Sequence, residues 1–382
     1  MKTKRVLILA SAITLVIALV SCHKADNTPG PTPTPTTPPT TSAIIANYCA
    51  NVAIPDYSAL LSNAQSFQAA ATTFSANPND NDLNTMRNAW KGMRVAYESA
   101  EAFLLGPIAT LNLDPNVDTW PVEKNNLDSL LNSSTAFTPS LMASLPQTLT
   151  GFHPIEYLIF GQGGTATAAD FTVTTNPTGA RKIEYLMALT TNLVSNITLI
   201  RSAYTVGSSD DFISIIENPG PTNSTYQTHK AALLDLVNSM SDICDEVGGS
   251  ASDGKIYSVY STQNAALQES YFSNNSWADF SNNIIGVRNA YLGVYGGSTT
   301  PAANSLYNLV AAKNISLNNA IMASINNAVG SFSAATSMPF GQAVQLSGGE
   351  RTQVLNVMNA IDSLQSILNN KLVPFINQYV TD

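Results

Sequence analysis

The chain has 382 residues, 44% of them hydrophobic and only 11% charged, and carries a formal net charge of −9. That length exceeds a typical single core and predicts two domains. The acidic balance offers no basic patch to a phosphate backbone, so a nucleic-acid partner is set aside.

The N-terminus reads "MKTKRVLILASAITLVIALVSC", with Lys2, Lys4 and Arg5 ahead of an apolar run and Ser21 just before Cys22. This pattern predicts a signal peptide over residues 1–21. Its "LVSC" ending resembles a bacterial lipobox, which implies cleavage before Cys22 and acylation of that cysteine. The lipid would anchor the chain to a membrane, with about 0.8 kcal/mol from each buried methylene. The expected location is the cell envelope, at the outer membrane of a Gram-negative bacterium. Loss of the three basic residues takes the formal charge from −9 to −12. Residues 22–43 complete the tether: "NTPGPTPTPTTPPTTS", Asn27 to Ser42, alternates Pro with Thr. Such a segment favours an extended spacer of about 3.1 Å per residue. An oxidising envelope would permit a disulfide between Cys49 and Cys244, and two buried unpaired thiols fit the sequence equally well.

From Ile44 onward apolar residues recur at helical spacing, and no alternating β-branched run appears. The fold class is all-α, with two packed helical-bundle domains over residues 44–210 and 211–382. In "MRNAWKGMRVAYESAEAFLLGP" the residues Trp90, Met93, Tyr97, Leu104 and Leu105 form one stripe at about 100° per residue. Gly106 and Pro107 are the expected helix stop. Arg94 and Glu101 fall inside the stripe. A charge there must be paired, bind a metal, face a cleft, or reach past the core into water. Arg94, two turns away on the same face, is the predicted partner of Glu101.

"GFHPIEYLIFG", residues 151 to 161, places His153 and Glu156 at i, i+3, close enough to ligate one metal or share one proton. The competing expectation is a helix start. Pro154 suits the first helical position, which makes His153 the cap and Glu156 a capping side chain. A zincin site is incomplete: no "HExxH" occurs, and the position that an inverted motif fills with histidine is Tyr157. A third ligand would come from Glu101 first, or from Asp118 in "DPNVDTWP". "GQGGT" at 161 to 165 lacks the lysine of a phosphate loop, and "SGGER" at 347 to 351 reads as a turn. His229 is expected at a helix start, in a surface or capping role.

Shifting the Trp90 segment by 187 positions lays Trp90 on Trp277, Met93 on Phe280, Tyr97 on Ile284, Leu105 on Leu292 and Gly106 on Gly293. Glu101 lands on Arg288, so each half carries an ionisable group on its apolar face. The echo suggests an internal duplication.

Four segments in order, "AWKGMRVAYESAEAFLLGP", "LDPNVDTWP", "GFHPIEYLIFG" and "DFSNNIIGVRNAYLGVYG", resemble the imelysin-like family of insulin-cleaving membrane proteases and iron-regulated envelope proteins. Its Gly-x-His-x-x-Glu marker is met by Gly151, His153 and Glu156. The resemblance implies two helical bundles, an envelope location and a site around the His and Glu motif. It suggests His153, Glu156 and Glu101 as metal ligands, with Arg94 or Arg288 as charge partners and iron or zinc as the metal. Three functions follow as expectations. The first is a tethered lipoprotein that captures iron, haem or another small ligand for uptake. The second is a metal-dependent peptidase acting on a peptide. The third is a structural or adhesive surface protein whose motif only starts a helix.

Overall fold

The computed structural model describes residues 37–335 and 337–381. The predicted signal peptide, Cys22 and the predicted tether up to residue 36 lie outside the described residues. No strand occurs among the described residues, so the predicted all-α class is the observed one.

Helices α1 (Ile54–Ala76) and α2 (Asp80–Glu101) form a hairpin. Asn79 starts α2 sharply: its side chain accepts the Asp82 amide at 3.0 Å, and Asp80 and Asp82 sit at the positive end of the helix dipole. Leu83, Met86, Trp90, Met93 and Tyr97 recur every three or four residues and are all buried, each contributing roughly 1.5–3 kcal/mol. The helix ends at Glu101, five residues before the expected Gly106 stop. There the Phe103 amide bonds back to the Ala100 carbonyl, and the turn drops Phe103 between the rings of Tyr48 and Tyr57. Gly106 instead takes a positive φ of 64° ahead of a short helix beginning at Pro107.

Two short helices follow, α3 (Leu113–Asp118) and α4 (Phe152–Phe160), then the long α5 (Gly179–Ala203). The second half supplies α6 (His229–Gly248), α7 (Lys255–Thr262), α8 (Ser276–Leu292), α9 (Ile315–Ala335) and α10 (Gly349–Ile367). In the first half α1 packs on α2 and α5; in the second, α6, α8, α9 and α10 pack on one another. The link between these groups is α2 against α8, the two segments whose sequences echo each other. Pro35–Asp382 form one compact unit, and helices on both sides of residue 210 share one hydrophobic core.

Gly286 makes the α2 and α8 crossing possible. A Cβ at that position would collide with the Ser99 carbonyl oxygen. This close approach sets Asn283, one turn earlier on α8, against the carboxylates of Glu98 and Glu101. Cys49 and Cys244 are both buried and unpaired, so the free-thiol alternative is the observed one.

Candidate functional site

The site is assembled where α4 begins. Gly151 caps α4 with φ 82° and ψ −155°, a backbone region open essentially to glycine alone. A Cβ there would strike the Val117 carbonyl oxygen, so glycine lets α4 start directly against the end of α3. His153 is thereby brought to Asp118. The capping expectation for His153 and Glu156 is overturned, because Gly151 takes the cap and both side chains are fully buried.

Glu156 has a different task. Its Oε2 lies 2.9 Å from His153 Nδ1, while its Oε1 accepts the Ser273 amide at 2.8 Å and the Ser273 hydroxyl at 2.7 Å. The carboxylate is thus held from behind and fixes the imidazole through Nδ1, as carboxylates behind metal-binding histidines commonly do. The other ring nitrogen, Nε2, is 3.1 Å from Asp118 Oδ1 and 3.7 Å from Glu269 Oε1. It has no aligned hydrogen-bond partner, and Asp118 Oδ2 has none either. Trp120 covers the imidazole edge-on, with ring centres 5.0 Å apart.

Arg94 is the fully buried hub beside this histidine. Its guanidinium pairs with Asp118, Glu98 and Glu269, and lies 3.6 Å from Asp279. The predicted Arg94 to Glu101 pair does not form. Seven residues of helix separate the two by about 10 Å along the axis, and Glu98, at i+4, takes the guanidinium instead. Glu101 and Glu98 both accept from Asn283 Nδ2, at 2.6 and 2.7 Å. Asp279 is held by Ser270 and, at 2.7 Å, by Asn275. Lys255 Nζ lies 2.8 Å from Glu269 Oε2, 2.9 Å from Glu246 Oε1 and 3.9 Å from Glu101 Oε1.

Six carboxylates, from Glu98, Glu101, Asp118, Glu156, Glu269 and Asp279, therefore crowd around Arg94, Lys255 and the His153 imidazole. Burial pushes the carboxyls of Glu98 and Glu101 well up from their usual range, against the pull of Arg94 on Glu98 and of Lys255 on Glu101. Burial likewise lifts Asp279 and Asp114 to about 6. For Glu269 burial is outweighed by Lys255, His153 and Arg94, which hold it well below the usual range. Burial alone would depress His153, but its contacts with Asp118, Glu156 and Glu269 raise it well above its ordinary value. These carboxylate neighbours favour the charged imidazole over the neutral one.

Three sets of donors lie close enough to share one ion: Asp118, His153 and Glu269; Glu98, Glu269 and Asp279; and Glu98, Glu101 and Asp118. All three members of the second set face Arg94. The first set combines one imidazole with two carboxylates, a donor mix suited to iron or zinc. It opens on a cleft of about 660 Å³ lined by Glu101, Asp114, Asp118, Trp120, Lys255 and Glu269, with Asp242, Asp245, Glu246 and Asp253 also in its wall.

Gly151, His153, Glu156, Arg94, Glu101 and Asp118 thus meet in one place. Arg288 does not: it is partly exposed, and no ion pair joins it to a carboxylate among the described residues. His229 begins α6 away from the cluster, its Nε2 3.3 Å from the Glu217 carbonyl oxygen. Sequence reasoning missed Glu98, Lys255, Glu269, Ser273, Asp279 and Asn283. Glu98 could have been found as the i+4 partner of Arg94, and Asp279 as a charge beside Phe280 on a buried stripe. Glu269 sits in a stretch with no helical period and gives no signal.

A helical protein, without strands among the described residues, whose buried imidazole and carboxylate cluster opens on an acidic cleft is the class that this geometry defines. Residues 53–368 match the family model for imelysin, a peptidase designation, and the chain belongs to the imelysin family. It is 27% identical over 250 residues to Iron-regulated protein A of Synechococcus elongatus, an alignment covering 65% of this chain and 64% of that protein. The chain therefore spans just under two thirds of that curated relative's length. A crystal structure from Parabacteroides distasonis, described as an iron-regulated protein A precursor, is 25% identical with a TM-score of 0.76, over 90% of this chain and 97% of that one. An imelysin-like protein from Psychrobacter arcticum shares the fold at 12% identity and a TM-score of 0.67, over the same shares of each chain.

Proposed function

We propose that this protein is an envelope lipoprotein that captures a metal cation, iron in the first instance, on His153 Nε2, Asp118 and Glu269. The observation that carries this reading is the fully buried Nε2, which lacks an aligned hydrogen bond and sits between two carboxylates while Nδ1 is fixed by Glu156. Glu156 is then the residue that orients the histidine, and Glu101 belongs to a neighbouring carboxylate set. The acidic cleft supports the reading, because a pocket lined by one sign of charge concentrates the opposite ion. The relatives named for iron regulation point the same way.

The test is thermal melting of the full-length protein in detergent, stripped with chelator, with and without Fe(II), Fe(III), Zn(II) and haem. At a hundredfold excess over Kd, a bound ion adds about 2.7 kcal/mol. Wild type should shift, His153→Ala should not, and Glu156→Gln should shift less. Ligation needs a neutral imidazole while the carboxylates around His153 favour the charged one, so binding should also acidify a weakly buffered solution. No shift of the wild type by any of these additions would end the proposal.

Anchoring rests on the lipobox-like ending at Cys22 and the Pro/Thr spacer. Cys22→Ala should move the protein from the membrane fraction to the soluble fraction of the envelope; an unchanged distribution would remove the anchor from the reading. The family's peptidase designation and the open cleft favour a second reading, a metallopeptidase. Peptide hydrolysis that His153→Ala abolishes would move the conclusion there.

A further inference from the structure

Lys255 makes an arrangement unlike an ordinary surface ion pair. It begins α7 directly after the turn of residues 249–254, which the Gly254 amide closes on the Gly249 carbonyl. From there its side chain reaches into the cleft and sets one ammonium among three carboxylates, Glu269, Glu246 and Glu101. Two of these are buried and belong to donor sets of the site: Glu269 to that of His153, Glu101 to that of Glu98 and Asp118. Glu269 turns Oε1 toward Arg94 and His153 and gives Oε2 to the ammonium. Glu246 is different, with half of its side chain exposed at the outer side of the cleft.

We propose that Lys255 is a tethered internal cation: it fills the carboxylate site until cargo arrives, then withdraws toward Glu246, and so sets affinity and favours divalent over monovalent ions. The proposal rests on the reading of the Asp118, His153 and Glu269 set given above. An ammonium is a compact charge on a flexible four-carbon stem, able to shift between neighbouring carboxylates without movement of the backbone. Because it is tethered, its effective concentration at Glu269 is in the millimolar range or above. A free monovalent ion carries the same charge and gains nothing by replacing it. A divalent ion doubles the attraction to each carboxylate and recruits His153 Nε2, which an ammonium cannot use.

The experiment is calorimetric titration of the chelator-stripped full-length protein in detergent with Zn(II). The background is 0.5 M tetramethylammonium chloride, in which charges on the rim are largely screened and the background cation is too bulky to act as a ligand. Lys255→Met should bind Zn(II) about tenfold tighter or more, the inverse of the competition argued above, and K⁺ should now weaken binding where it leaves the wild type unaffected. Lys255→Arg, which keeps the charge, should not gain affinity. Glu246→Gln, which removes the outer station and leaves the site carboxylates in place, should weaken Zn(II) binding severalfold without lowering the melting temperature of the apo protein. The Glu246→Gln variant keeps the test open if Lys255→Met folds poorly. Equal or weaker Zn(II) binding by Lys255→Met beside a binding wild type would overturn the proposal and leave the site reading intact. Absence of binding in wild type and variant alike would overturn both.

Discussion

Arg94→Met is expected to cost the native state about 5 kcal/mol at neutral pH, enough to leave a domain of ordinary stability near its unfolding threshold. Methionine keeps most of the side chain's volume, so the loss reports charge and not a cavity. The guanidinium is fully buried and touches Glu98, Asp118 and Glu269, with Asp279 at 3.6 Å. Its removal leaves those carboxylates facing one another, with Lys255 paired only to Glu269 among them in the described residues. The loss should depend on pH, with a defined sign. Burial has already lifted Asp279 to about 6, and the attraction of Arg94 is what keeps it from rising further. A carboxyl whose folded pKa exceeds its unfolded value gives the native state more bound protons, so stability falls as pH rises between the two values. The variant widens that window. Denaturant midpoints at pH 5 and pH 7.5 should therefore differ more for Arg94→Met than for wild type, with the variant faring better in acid. A loss under about 1 kcal/mol at pH 7.5, or an equal loss at both pH values, would contradict the central role given to Arg94.

Why half of this cluster was legible in the sequence, and half was not, follows from the range of the contacts. Helical periodicity is local, and it located the buried stripe of Trp90, Met93 and Tyr97 and marked Arg94 and Glu101 as charges within it. The i, i+3 spacing of His153 and Glu156 is equally local, and the pair does meet, at 2.9 Å. Apart from Glu98, one turn on, the partners of Arg94 are not local: Asp118 is 24 residues away and Glu269 is 175. Nothing periodic connects them. Arg288 failed for a rotational reason. The echo aligned it with Glu101 by position along the helix, but α8 meets α2 through Gly286. Two residues later, at about 100° each, Arg288 points to the opposite side. The capping expectation failed because the glycine of the family marker itself supplies the cap, which frees the whole His153 and Glu156 pair for the interior.

Asp56→Asn should act in the opposite direction from Arg94→Met and strengthen the fold as pH rises. Asp56 lies in the first turn of α1, fully buried, and no well-aligned hydrogen bond reaches either of its carboxylate oxygens. Burial pushes its carboxyl from 3.8 up to about 8, with Ser99 and Tyr295 only partly restraining it. Below about pH 4 both folded and unfolded chains hold this proton, and the group is neutral for stability. Between about pH 4 and 8 the unfolded chain gives the proton up while the folded chain keeps it, so the native state loses about 1.4 kcal/mol for each pH unit. Above about pH 8 both forms are ionised and the full cost, about 5 kcal/mol, is in place. Asparagine matches the shape of the protonated acid and removes the titration. The variant should equal wild type near pH 4 and exceed it by several kcal/mol near pH 8, as read from denaturant midpoints across that range. Parallel pH profiles for the two proteins would mean that Asp56 is ionised in the fold, with Ser99 and Tyr295 offsetting its burial in full. The two substitutions also separate two faces of α2. Ser99, beside Asp56, follows Glu98, beside Arg94, by one residue, or about 100° around the helix. Asp56→Asn touches none of the donors near His153, so its Zn(II) affinity should match that of wild type while its stability rises.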